Sequence, residues 1–229
     1  MNATVTHLEV PVMAVPEAAR QLGIPITTLR HWLDGHTIGD TFYPPVLRIE
    51  PDSTADITWG ELVEADYLRS YRAKGVSLQR LRPFIQTCRQ RFGLRYPLAH
   101  LKPFTDGIKL LLELQREAEL TDQLRIVYQL HDGQLELDHR TESWLQRVDR
   151  GPDHDVARRL HPEGAASPVV HDPDIASGAA SVRGVRTEIV REQYEVGEDT
   201  RDIAETFGLS IAEVLAALTH EHRMRPLAA

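Results

Sequence analysis

The stretch VPEAARQLGIPITTLRHWL, Val15 to Leu33, decides how the rest of this 229-residue chain is read. Glu17, Ala18, Ala19, Arg20, Gln21 and Leu22 are strong helix formers, and Pro16 suits a first helical position. Gly23 then ends that helix, because a lone glycine takes a positive φ freely and marks a C-terminal turn. A second helix follows, with Leu29, Trp32 and Leu33 on one face and Thr28, Arg30 and His31 free to point away. Two short helices crossing through the small Ala19, the second with a polar outer face, make a helix-turn-helix whose outer face could enter a DNA groove.

The spacing recurs near the other end. Ala204, Gly208 and Val214 repeat the intervals of Ala19, Gly23 and Leu29, and Ser210 with Glu213 reads as a capping box. The second copy carries no base-reading side chain on Ile211 to Leu218. The expectation is therefore that the first copy reads DNA and the second packs against protein.

Composition separates the two halves. The net charge is −8, but residues 1–102 carry 12 Lys and Arg against 10 Asp and Glu, and the remainder 14 against 24. Arg69 to Lys102 holds nine basic residues and no acid, which next to a helix-turn-helix suggests phosphate contact as readily as a solvated face. The single cysteine, Cys88, excludes a disulfide framework and suits a reducing cytoplasm. No apolar run approaches the roughly twenty residues of a membrane helix, and the N-terminus lacks a signal-peptide pattern.

After Leu33, turn residues punctuate two strand-like pieces, Val46 to Ile49 and Asp56 to Thr58, read as a wing that carries Tyr43 and Arg48 along the adjacent backbone. Thr58 and Glu61 form a capping box that opens a helix through about Arg72. A further helix is expected from Ser77 to about Arg91, kinked at Pro83. The order helix, Gly-Ile-Pro turn, Thr28-Leu29-Arg30, wing, then ITWGELVEADYLRSYRAKGVSLQRLR resembles the winged helix-turn-helix of the MerR regulators, Gly75-Val76-Ser77-Leu78 matching the segment after their next helix. The departures are Pro25 in place of a Ser or Thr cap, a longer wing, and no long dimerising coiled coil.

From Phe104 the period changes. Ile108, Leu110, Leu112 and Leu114 alternate as in a strand, although Leu110 to Leu114 fit a helix too, and Leu124 to Leu130 alternate likewise before the Asp132-Gly133 turn. A short helix capped by Thr141 follows, then a connector. The last sixty residues resemble a small antitoxin-associated domain, on Asp172-Pro173, Gly178, Gly184 with Arg186, Gly197, and Ala204 to Leu218. Together the two resemblances imply a VapB-type antitoxin of a type II toxin–antitoxin pair, whose partner would be a PIN-domain ribonuclease and whose second ligand would be operator DNA.

The expectation is an α+β, mainly helical protein divided into a winged helix-turn-helix at 1–102, a β-rich segment at 103–150, a connector at 151–166 and a C-terminal helix-turn-helix domain at 167–229. DNA contact is assigned to Thr27, Thr28, Arg30, His31, Tyr43, Arg48, Arg80 and Arg82. A homodimer on a two-fold operator is expected, its contact made by Val214, Leu215, Ala217 and Leu218. No cofactor, metal or enzymatic activity is expected, since the eleven histidines lack metal-ligand spacing and no phosphate-cradling glycine loop occurs. Two rivals stand beside this reading: a stand-alone MerR-like regulator with an effector held by Leu110, Leu112, Ile126 and Tyr128, and a protein-only adaptor.

Overall fold

Strand β1 (Pro11–Met13) leads into α1 (Val15–Gln21), and the chain turns at Gly23, φ +60°, into α2 (Ile26–Asp34). These belong to a computed structural model that describes residues 7–72, 81–120, 125–151 and 155–224. The architecture is α+β and mainly helical, its strands paired two by two into small antiparallel ladders. Among the described residues no single helix is long and apolar enough to cross a membrane.

The apolar faces of α1 and α2 close on each other as their sequence spacing requires, with Ala18, Ala19, Leu22, Leu29, Trp32 and Leu33 all buried. Gly35 ends α2 with φ +79°; a Cβ there would lie 2.4 Å from the Tyr43 carbonyl oxygen, so only glycine fits the tight passage into the next element. That element is a hairpin of β2 (His36–Ile38) and β3 (Thr41–Tyr43), with Gly39-Asp40 between the strands. A hairpin therefore follows α2, but not on the residues expected for the wing. Val46 and Leu47 are buried and give both amides to the Trp32 carbonyl, at 2.8 Å each. Ile57–Thr58, strand β4, pairs back onto β1.

Thr58 and Glu61 close the expected capping box, Glu61 Oε2 accepting the Thr58 amide at 2.9 Å, and α3 (Trp59–Arg72) runs through the centre of the core. Its buried Trp59 donates its indole N–H to the Ala157 carbonyl at 2.9 Å, 98 residues on. Helix α4 is described from Leu81 to Phe92 and contains Pro83. The expected Ser77 start and the Gly75-Val76-Ser77-Leu78 match lie outside the described residues.

The strand reading of Ile108 to Leu114 is corrected: the segment is α5 (Ile108–Glu117). A run of adjacent leucines satisfies period 2 and period 3.6 together, and packing chose the second, burying Leu111, Leu114 and Gln115 at helical spacing. Gln115 then holds the next hairpin, β5 (Val127–Gln129) with β6 (Leu135–Leu137), its Oε1 accepting the amides of Ile126 and Val127 at 3.0 Å each. Helix α6 (His139–Leu145) is capped by Asp138, not Thr141, whose hydroxyl is buried 2.9 Å from that of Tyr67. The expected connector at 151–166 also holds structure: β7 (Val148–Arg150) pairs with β8 (Ala157–Leu160), both ends of which are buried.

One hydrophobic core runs from Leu8 to Leu160 and joins the first two expected segments. A second, smaller core spans Val169 to Ala217. Around it, β9 (Ser181–Val182) turns at Arg183-Gly184 into β10 (Val185–Arg186), followed by α7 (Thr187–Glu195), α8 (Thr200–Phe207) and α9 (Ile211–Met224). Helices α8 and α9 meet at 107° across Gly208, which is left-handed at φ +65°. Asp199 caps α8, and Ser210 with Glu213 caps α9 as expected.

The two cores are tied together. Leu160 and His171 exchange backbone hydrogen bonds of 3.0 and 2.8 Å. Gly178 lies so close to β1 that a Cβ would come within 2.8 Å of Val12. Glu221, buried on α9, accepts from the Thr187 hydroxyl at 2.6 Å and pairs with Arg20 of α1 at 3.3 Å and Arg191 at 3.4 Å.

Candidate nucleic-acid interface

Burial of Leu29, Trp32 and Leu33 decides what α2 turns outward. Thr27, Arg30 and His31 are exposed and Thr28 half-exposed, so the residues singled out from the helical spacing do share one outer face. Among the described residues Arg30 has no hydrogen-bond or ion-pair partner, which leaves its guanidinium free for a bidentate acceptor.

The hairpin is fastened beside that face by ring stacking. His31 lies over His36 with centroids 4.2 Å apart and 17° between planes, and His36 lies over Tyr43 at 5.2 Å and 17°. The column runs from α2 through β2 to β3. It sets the angle between helix and hairpin with planar side chains that lose little rotamer freedom. On the hairpin Ile38 and Phe42 stand exposed. Sequence reasoning included His31 and Tyr43 but missed His36, since alternate positions on a three-residue strand give no signal of stacking until the register His36 opposite Tyr43 is known.

Arg48 is not on the hairpin and is not available to a phosphate. Its side chain is buried and every donor group is engaged: Nε on Glu61 at 3.1 Å, one terminal nitrogen on Asp34 at 2.9 Å and on the Asp52 carbonyl, the other on the carbonyls of Ala55 and Asp56 at 3.0 and 3.1 Å. Burial opposes its charge, but Glu61 and Asp34 outweigh burial and hold it protonated. Arg48 thus staples the 44–56 loop between the end of α2 and the start of α3.

The long basic block is dismantled in the same way. Arg69 pairs with Asp66 at 3.0 Å, Arg89 with Glu64 at 3.3 Å and Arg95 with Glu9 at 2.9 Å. The acids come from α3 and from the turn at His7–Glu9, so three of the nine cations of a segment without carboxylates in the sequence are neutralised in space. Burial pushes the Glu64 carboxyl up to about 7 even with Arg89 beside it. Arg80 lies outside the described residues. Arg82, on α4, is 8% exposed, and no described carboxylate pairs with it.

The proposed dimer residues divide. Val214 and Ala217 are fully buried in their own core and cannot face a second chain, because an α9 turned towards α7 and α8 has already used that stripe. Leu215 is 51% exposed, Leu218 half-buried, and Ile211 one turn before Leu215 is exposed too.

Among the described residues no group of three His, Cys, Asp or Glu side chains is placed to hold a metal. Cys88 is fully buried, and burial pushes its thiol up to about 12, where it is not a nucleophile.

No family model matches the chain. It is 30% identical over 226 residues to "Uncharacterized protein Rv2308" of Mycobacterium tuberculosis, covering 95% of this chain and 93% of that protein. It is 26% identical to "Putative antitoxin VapB45" of the same organism, covering 93% and 94% respectively. The crystal structure of Rv2018 from Mycobacterium tuberculosis superposes with a TM-score of 0.73 at 25% identity, over 91% of this chain and 98% of that one.

Proposed function

The chain belongs to the family of the Mycobacterium tuberculosis protein Rv2308, and from that premise we propose that it is a DNA-binding antitoxin of a type II, VapBC-like toxin–antitoxin pair. In this reading it neutralises a PIN-domain ribonuclease by direct binding and represses its own operon. It performs no catalysis itself, and it acts in the cytoplasm.

The observation that carries the DNA half is the outer face of α2, where Thr27, Arg30 and His31 stand exposed beside a hairpin clamped by the His31–His36–Tyr43 column. A helix offering unpaired donors with a hairpin at its side has the shape that enters a major groove while the hairpin follows the backbone. Thr27, Thr28, Arg30 and His31 read bases, and Tyr43 supports the hairpin. The antitoxin half is supported by the name of the full-length relative and by the acidic C-terminal part, which suits the basic surface of a ribonuclease. A homodimer forms through Leu215 and Leu218, joined by Ile211.

The deciding experiment is co-expression with the product of the neighbouring gene, followed by co-purification and an RNA-cleavage assay of that product. A stable complex with suppressed cleavage supports the antitoxin; neither complex nor suppression refutes it. For the DNA half, Arg30→Ala should weaken binding to the upstream region by about 1–3 kcal/mol. Unchanged affinity would sink that role.

A second reading has one observation in its favour. A cleft of about 440 Å³ between α5 and β5 is lined by Leu112, Gln115, Arg116, Leu120, Val127 and Tyr128. It is large enough for a small effector and would suit a stand-alone regulator.

A further inference from the structure

Two arginines share one buried carboxylate on α3. Asp66 accepts from Arg69 at 3.0 Å and from Arg147 at 2.5 Å, and the Trp144 indole N–H donates to it at 3.0 Å. Burial opposes its charge, but the two guanidiniums outweigh burial and keep it ionised. Arg48 and Arg89 are matched differently, the first holding both Glu61 and Asp34 and the second Glu64. At Asp66 the ratio is reversed, and one positive charge is left over.

That surplus lines a cleft. A space of about 500 Å³ opens between the turn from α1 into α2, the C-terminal part of α3 and the end of α9, with Asp66, Arg69 and Arg147 in its wall. Arg223 of α9 is a third guanidinium there, but it is paired with Glu163 and adds no net charge. A guanidinium carries five N–H groups. Among the described residues Arg69 uses its own on Asp66 and on the Leu22 carbonyl, at 3.0 Å each, and Arg147 on Asp66 and on the Pro162 carbonyl at 2.9 Å. Both keep donors over, and both side chains reach solvent, at 23% and 19% exposure.

Much of the remaining wall is apolar, contributed by Leu22, Ile24 and Pro25 of the turn and by Met224 of α9. A Cβ at Gly23 would lie 3.4 Å from Met224 Sδ, so the end of α9 sits against the turn. A cleft of this size, with an apolar wall and a few placed polar groups, has the character of a small-molecule site. Arginine donors match a carboxylate in geometry as well as in charge.

We propose that this cleft binds a small organic monoanion, its carboxylate on Arg69 and Arg147 and its apolar body on Ile24, Pro25 and Met224. The surplus charge selects an anion, and the apolar wall favours one with a hydrocarbon body. The site goes beyond the antitoxin reading and depends neither on it nor on DNA binding by α2. Because the ligand touches both the turn into α2 and the end of α9, it ties the C-terminal unit to the first pair of helices.

The test is an NMR titration of the isotope-labelled full chain with phenylacetate and octanoate as probes, followed at the Gly23, Ile24 and Met224 amides. Both acids should shift these amides saturably and raise the thermal midpoint with concentration. Acetate has the charge without the body, and phenylacetamide and octanamide the body without the charge; each should bind about tenfold more weakly or not at all. Arg147→Gln should weaken phenylacetate by about tenfold, the worth of one charge-assisted hydrogen bond. Pro25→Glu sets a carboxylate at an exposed position of the cleft and should do the same, which keeps the test decisive if Arg147→Gln does not fold.

No saturable shift with either acid overturns the site. So does equal binding of acid and amide, or an affinity unchanged in Pro25→Glu or in a folded Arg147→Gln. Saturable shifts confined to Leu112 and Val127 would place the acids in the cleft between α5 and β5 and overturn it too.

Discussion

Glu221→Gln tests whether the two cores are held as one unit. The carboxylate is 3% exposed and has three partners, the Thr187 hydroxyl at 2.6 Å, Arg20 at 3.3 Å and Arg191 at 3.4 Å. Breaking a buried ion pair by removing one charge costs about 3–5 kcal/mol when the other charge is left stranded. Here neither arginine is stranded. Arg20 is 30% exposed and keeps Glu188 at 3.4 Å, and Arg191 keeps Glu188 and Glu195. Glutamine also still accepts the Thr187 hydroxyl proton, so the expected loss is about 2 kcal/mol, nearer that of a charge-assisted hydrogen bond. For a chain of this length that is a fall of about 4–8 °C in thermal midpoint. Calorimetry and urea unfolding read it directly. The Arg20→Ala background then asks how much of the loss crosses between α9 and α1. A double-mutant cycle should return a coupling of about 1 kcal/mol. A loss below about 0.5 kcal/mol, or a loss undiminished when Arg20 is absent, would refute the view that this carboxylate locks α1 to the C-terminal unit.

Acid should weaken the fold through His171. It is buried, donates its Nδ1–H to the Gly178 carbonyl at 2.9 Å, and burial pushes its pKa down to about 4. Because the folded value lies below the unfolded 6.5, the unfolded chain binds more protons between them. The stability is therefore full above pH 6.5 and lost as pH falls towards 4, by about 3 kcal/mol in all. A urea midpoint equal at pH 5 and pH 7.5 would contradict this. Arg48→Ala strips the counter-charge from buried Glu61 and from Asp34 and should cost about 3–5 kcal/mol, while leaving the salt slope of DNA binding unchanged at temperatures where the variant is folded. A reduced slope would return Arg48 to the interface. Gly178→Ala places a Cβ 2.8 Å from Val12 at a φ of +75° and should cost about 2 kcal/mol or more, read as a lower thermal midpoint. Leu215→Arg should leave the thermal midpoint within about 1 kcal/mol of wild type and convert a dimer to monomer in sedimentation; a dimer of unchanged size would move the contact elsewhere.

Local chemistry was legible where one residue type admits one conformation. Gly23 and Gly208 stop helices at positive φ, Thr58 with Glu61 and Ser210 with Glu213 start them, and Leu29, Trp32 and Leu33 must turn inwards together. Those signals placed both pairs of helices joined at a glycine and the outer face of α2, because each rests on contacts within four residues along the chain. The adjacent leucines of α5 hold no such signal, since their pattern satisfies two periods and only packing around Gln115 separates them.

What the tertiary structure alone decided is the fate of the charges and of the rings. A sequence shows that Arg69 to Lys102 contains no acid; it does not show that Asp66, Glu64 and Glu9 arrive from elsewhere to neutralise Arg69, Arg89 and Arg95. Nor does it show that Arg48 spends its donors on a loop while Arg82 keeps its Nε unpaired, or that His36 completes a stacked column. Electrostatic pairing and ring stacking act over a few ångströms in space and are indifferent to separation along the chain. Propensity and capping are bound to that separation, which is why the amino-acid order determined the helices and turns, and the folded packing determined which of their cations remain free to meet an anion.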